Sequence, residues 1–219
     1  MHLQFSLIDA FSFSILIAAA IGWVRYRKIH PTYHPFIYLC WLGLLNELIS
    51  YFLIYNGYSN AVNGNLFVLG EVFLITWQLR NWNGIHYFKG FYTVFILLCI
   101  AFWALEMFLV PAWNQSITGF RIFYSFVLVI MSIECLNKQL STERGRLLKN
   151  PVVLICLAFI LYFTYTVIVG VFWIYGFGGS ADFRRGMVWI LIYINVLCNL
   201  IYALAILWMP AKLRFTLPF

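Results

Sequence analysis

Charge is what this chain has least of. Of its 219 residues only 14 are Lys or Arg and 7 are Asp or Glu, while 64% are hydrophobic. A soluble domain is about one quarter charged. With a mean hydropathy of +0.89, this composition excludes a water-exposed globular surface and points to an integral membrane protein. The five cysteines (Cys40, Cys99, Cys135, Cys156, Cys198) contain no C-x-x-C pair and lie scattered through apolar runs. They read as small buried hydrophobes rather than a redox or zinc framework. Histidine is scarce too: His2, His30, His34 and His86 fall at a chain end or in loops. His30 and His34 are four residues apart, but each precedes a proline that biases it away from a shared helix face, and no third ligand is near. No metal and no cofactor are expected.

What is present is a series of apolar runs. Seven segments, about 3–24, 36–56, 65–80, 91–110, 117–136, 151–175 and 187–209, are long enough or nearly so to cross a hydrocarbon layer of ~30 Å at ~1.5 Å per residue. The expected fold class is all-α: a polytopic transmembrane bundle of seven helices forming one domain over residues 1–219. The first run is followed, not preceded, by the basic cluster Arg25-Tyr26-Arg27-Lys28. A signal peptide has the opposite order, so a retained first span is expected.

The net charge of +7 would suggest nucleic acid, but the basic residues sit in short loops between apolar runs, as topology signals do. The bilayer is the expected partner and nucleic acid is not. Loops after spans one, three and five, with the tail, hold eleven Lys and Arg against three on the other side (Arg121, Arg184, Arg185). The positive-inside rule then puts the N-terminus outside and the C-terminus in the cytoplasm. Trp23, Tyr58, Trp82, Trp113, Trp173 and Trp208 near span ends suit an interfacial belt.

The hairpin of spans two and three is where function is sought. Asn46-Glu47 lies almost at the midpoint of span two. Glu71 lies within span three, with Gln78 seven residues on, on the same helical face. A charged group at bilayer depth costs roughly 2.5–3.5 kcal/mol on lenient insertion scales, so such residues are site candidates by default. Counting at ~1.5 Å per residue places Glu47 ~15 Å, Asn195 ~12 Å, Glu71 ~10 Å, Asp9 ~9 Å and Glu106 ~6 Å below the outer surface. Arg121 and the Arg184-Arg185 pair come at or above that level.

Each candidate has a plainer explanation. Asp9, Glu106 and Arg121 lie within two turns of a span end, where snorkelling or a loop satisfies them. Asn195, Asn199 and Tyr202 share one face of span seven at i, i+4 and i+7, a spacing that also suits interhelical hydrogen bonding. Glu47 and Glu71 are harder to dismiss, because each must be neutral, paired or in water. Together these residues suggest a cavity open to the outside, acidic at its floor and rimmed by arginine, suited to a small zwitterionic or cationic ligand or to a proton.

Asn46-Glu47, followed by Asn65-Leu66-Phe67 and Glu71, resembles an uncharacterised group of small seven-span membrane proteins from Bacteroidota. In that group a span-two glutamate precedes an N-x-x-L-[FY]-x-x-x-E-like span three, and an Asn-rich last span ends in Trp and a short basic tail. Here that span carries Asn195 and Asn199 and ends Leu207-Trp208-Met209-Pro210. The resemblance implies a bacterial inner-membrane location and groups Glu47, Glu71 and Asn199; it implies no activity. Other seven-span families fit poorly. No lysine lies in the last span to carry retinal, and no Pro-Gln dipeptide is present. Ceramidase-like hydrolases need intramembrane histidines that this chain lacks.

The leading expectation is a non-enzymatic receptor-like or sensory module that binds a small ligand or a partner through its outer half. It would signal through its basic loops to a cytoplasmic protein, with a homo-oligomer also open. The alternative is a small-solute or proton-coupled transporter using Glu47 and Glu71, and a third class is a metal-free membrane enzyme working through paired carboxylates.

Overall fold

The structure, a computed structural model, describes residues 11–82, 90–109, 115, 117–142, 149–175 and 180–212. Among them the chain forms seven α-helices: α1 (Ile15–Arg25), α2 (His34–Tyr55), α3 (Ala61–Asn81), α4 (Phe91–Leu109), α5 (Thr118–Thr142), α6 (Pro151–Tyr175) and α7 (Ala181–Trp208). A 3-10 turn, Pro31–Tyr33, leads into α2, and with it this helix is one of five segments long and apolar enough to cross a membrane. The other four are α4, α5, α6 and α7. Such a set is the make-up of an integral membrane protein. Helix α1 is a shorter apolar helix; residues 3–10 of the expected first span lie outside the described part. Helix α3 falls outside the five because it carries Asn63, Asn65, Glu71, Gln78 and Arg80.

Some helix ends differ from the hydropathy reading, each for a local reason. Helix α7 begins at Ala181 rather than at 187. Ser180 caps it by accepting from the Phe183 amide, and Asp182 sits in its first turn, where the helix dipole favours an anion. Arg184 and Arg185 are therefore helical. Helix α3 starts earlier than its apolar run because its first turn holds Asn63 and Gly64. His34, before Pro35, opens α2: proline in a first helical turn loses no intrahelical bond.

Helix neighbours define a ring. Helix α1 packs on α2 and α7, α2 on α3, α3 on α5, α5 on α6, and α6 on α7. Helix α4 lies outside this ring against α3 and α5, with only Phe95, Cys99 and Met107 buried. The ring is fastened where α1 meets α7. The Arg25 guanidinium donates to the carbonyls of Ile206, Leu207 and Met209, placing a cation on the C-terminal end of α7. Just beyond, the His30 amide donates to Pro210 (3.1 Å) and the Lys212 amide to Lys28 (2.8 Å).

Glycine allows the closest approaches. A Cβ at Gly170 would fall 2.6 Å from Ile122 Cγ1, and one at Gly70 would fall 2.9 Å from Leu42 Cδ2, so α6–α5 and α3–α2 meet at these points. The ring is densely packed at its basic end, where Phe36, Ile37, Leu79, Ile155 and Ile206 are fully buried. Its outward surface is apolar, with Leu97, Phe108, Phe126, Leu161 and Leu197 among the many large exposed hydrophobics. In water such a surface would be an aggregation liability; in lipid it is the solvated face.

Candidate functional site

Six helices around an axis leave space wherever their inward side chains are small or polar. At the end of the ring away from Arg25 they enclose a cavity of about 660 Å³, within the ~300–1,000 Å³ usual for small-molecule sites. Along α2 its lining runs from Leu39 to Ile54, and along α3 from Ala61 to Ile75, a depth of roughly 20 Å at the helical rise. It reaches exposed Ser59 in the α2–α3 turn. At its inner end stand Leu39, Ile75, Phe159 and Tyr202. Beneath them Phe36 packs on Tyr202 (ring centroids 5.1 Å) and on Phe159 (6.2 Å). This aromatic plug, with the buried aliphatic layer under it, closes the cavity toward the basic end.

Six of the nine candidates read from the sequence line this one cavity: Asn46, Glu47, Glu71, Arg121, Asn195 and Asn199. Helical spacing is what gathers them. Asn46, Glu47 and Ser50 share the inner stripe of α2, while Asn195, Asn199 and Tyr202 form that of α7. Arg121, expected at a rim, stands in the wall contributed by α5.

The charges are not equivalent. Glu71 is buried and its Oε2 accepts a hydrogen bond from the Tyr124 hydroxyl at 2.7 Å. Arg121, one helical turn before Tyr124, interacts with Glu71 through charge, and its Nε is buried without a hydrogen-bond partner among the described residues. Glu47, half-buried on α2, has the Ser12 hydroxyl beside it and no cationic group acting on it among the described residues. Asn199 donates to Ser14 at 2.8 Å, tying α7 to the segment before α1. Near the mouth, the Asn63 amide reaches Asn46 Oδ1 (2.9 Å), Asn60 Oδ1 (3.0 Å) and Ser50 Oγ (3.1 Å), stapling α2 to α3.

The remaining candidates lie elsewhere. Gln78 is fully buried behind the plug; its Oε1 accepts from the Phe36 amide (2.9 Å) and its Nε2 donates to the Thr32 carbonyl (2.8 Å). It thus satisfies backbone groups that α2 leaves unpaired at its start. Glu106, near the end of α4, accepts from the amides of Gly119 and Phe120 and caps α5 from outside. Asp9 is outside the described residues. Asn65, prominent in the sequence motif, is also buried in backbone bonding: it accepts from the Ile117 amide (3.1 Å) and donates to the Gln115 carbonyl (3.1 Å).

The cavity also holds residues that sequence reasoning passed over: Tyr124, Tyr162, Thr166 and the rings of Phe159 and Phe163. Their signal was available, since Phe159, Tyr162, Phe163 and Thr166 recur at i, i+3, i+4 and i+7. In a span apolar on every side, aromatic residues at that spacing do not stand out. Among the described residues no cluster of three or more His, Cys, Asp or Glu has metal-binding geometry. The cavity is chemically a mixed pocket of two carboxylates, one guanidinium, amides and hydroxyls backed by aromatic rings. No protein family, no curated protein and no solved structure matches this chain.

Proposed function

We propose that this chain is a seven-span, receptor-like module of a bacterial inner membrane that binds a small polar ligand in the six-helix cavity. In this reading its N-terminus lies outside and its C-terminus in the cytoplasm, which the asymmetry of Lys and Arg between the two ends supports. The observation that carries the reading is the one-ended cavity: polar walls reaching Ser59 at one end and a packed layer around Phe36 and Leu79 at the other. A site closed toward the cytoplasm binds without passing its ligand on. Occupancy would be felt by α2 and α7, whose Phe36–Tyr202 contact forms the plug, and relayed through the basic ends of these helices to a cytoplasmic partner.

The pair of intramembrane carboxylates favours a second reading, a small-solute or proton-coupled transporter with Glu47 and Glu71 as coupling groups. It requires the plug to open. A thermal-shift screen of the purified protein against amines, amino acids, carboxylates and sugars, followed by a flux assay in proteoliposomes, separates the two. The receptor reading expects one chemical class to raise Tm in the wild type but not in a Thr166→Trp variant that fills the cavity, and expects no flux of that solute. Flux of the solute selects the transporter. No class acting on the wild type alone overturns both.

A further inference from the structure

The charges in the cavity do not all need a ligand. Glu71 and Arg121 oppose one another within the wall made by α3 and α5, and the Tyr124 hydroxyl occupies one Glu71 oxygen. This local arrangement is close to neutral. Glu47 stands on another wall, on α2, with the Ser12 hydroxyl as its neighbour and no cation acting on it among the described residues. A carboxylate at this depth is neutral, in water or matched by a countercharge, and a cation seated on Glu47 would hold it ionised. Among the described residues the lining offers amides and hydroxyls around it but no second guanidinium.

The wall made by α6 is largely aromatic, and Tyr202 of α7 extends it. Tyr162 packs on Phe163 with ring centroids 5.2 Å apart, and Phe159 packs on Phe163 at 6.0 Å and on Tyr202 at 5.9 Å. All four rings line the cavity. Aromatic faces carry a negative quadrupole and attract ammonium groups, quaternary ones included, where water is excluded. An anion would meet Glu47 and these faces unfavourably, and its best partner, Arg121, is already opposed by Glu71.

Resting on the ligand-pocket reading above, we infer that the ligand is a small organic monocation, an amine or quaternary ammonium, seated with its charge on Glu47 and its carbon skeleton against the Tyr162–Phe163–Tyr202 side. Glu47 is the residue that selects for positive charge. Arg121 is balanced through charge by Glu71 and does not contact a ligand carboxylate.

The test measures the melting temperature of the purified full chain in lipid nanodiscs with four probes: tetramethylammonium chloride, n-propylamine, sodium propionate and n-propanol. The expected result is a rise of several degrees at millimolar concentration for the first two and none for the others. Glu47→Gln should weaken the response to the cations at least tenfold in apparent affinity, and Glu47→Asp should retain most of it. Labelling of wild-type Glu47 by a hydrophobic carbodiimide, read by mass spectrometry, gives the same answer without a variant. Tetramethylammonium should protect Glu47, and propionate should not. Stabilisation by propionate, an unchanged cation response in Glu47→Gln, or carbodiimide labelling indifferent to tetramethylammonium overturns the inference. A pocket that answers in the wider screen only to neutral or anionic solutes leaves the ligand-binding reading standing and removes this one.

Discussion

The Tyr124 hydroxyl on α5 and the Glu71 carboxylate on α3 meet at 2.7 Å inside the ring, both side chains buried. The contact joins two helices that follow each other around the cavity only because α4, between them in sequence, is left outside. Tyr124→Phe removes the donor and nothing else of the ring. A hydrogen bond to a charged group contributes about 1.5–3 kcal/mol, so the variant should melt several degrees below wild type. Adding Glu71→Gln should deepen the loss rather than recover it, because the buried Arg121 charge then has no opposing carboxylate. Differential scanning fluorimetry of the two variants checks this.

Glu106 is expected to behave as a structural residue despite its charge. Both of its oxygens are engaged by amides at the start of α5. Glu106→Ala should cost about 0.5–2 kcal/mol, the range for losing a helix cap, and should leave the response to cavity ligands unchanged. Parallel unfolding and ligand-shift curves decide it.

Gly170 is needed for the approach of α6 to α5. A Cβ there would lie 2.6 Å from Ile122 Cγ1, and Gly170→Ala should destabilise by about 1–3 kcal/mol through overpacking. Gly186 has open space on every side. Gly186→Ala should therefore be neutral or slightly stabilising, since alanine is the better helix former by ~1 kcal/mol. Thermal unfolding of the pair provides an internal comparison.

Orientation is testable independently of ligand chemistry. A reporter fused after the tail that follows Lys212 should be active only in its cytoplasmic form, and an epitope inserted at Gly57 should be reached by antibody only from outside. Gly57 suits the insertion because it lies in an exposed turn at φ 77°. The opposite pattern would reverse the assignment.

Much of this architecture was legible in the chain itself. The apolar runs announce the helices, and Glu47, Glu71, Asn195 and Asn199 stand out because polar groups so deep in a span are costly. Counting put Glu47, Asn195 and Glu71 within ~5 Å of one another in depth, and helical spacing put Asn199 on the face of Asn195. What depth cannot reveal is which neighbour satisfies a polar group. Gln78 and Glu106 have the same chemistry as the residues of the cavity, yet each is spent on backbone amides, at the start of α2 and of α5. That depends on which helices pair, and the pairing of α3 with α5 past α4 leaves no periodic trace. Tyr124 and Tyr162 were hidden for another reason: among so many aromatic residues, a buried hydroxyl does not interrupt an apolar run.

A one-ended cavity should be reachable from one face of the membrane only. The direct measurement is labelling by a membrane-impermeant maleimide in a variant whose five buried cysteines are replaced, carrying in turn Ser50→Cys, Thr166→Cys or Leu79→Cys. Ser50→Cys and Thr166→Cys should react in vesicles exposing the α2–α3 turn and not in inverted vesicles, while Leu79→Cys should stay unlabelled in both. Labelling of Thr166→Cys from the basic face, or no labelling of Ser50→Cys from either, would contradict it.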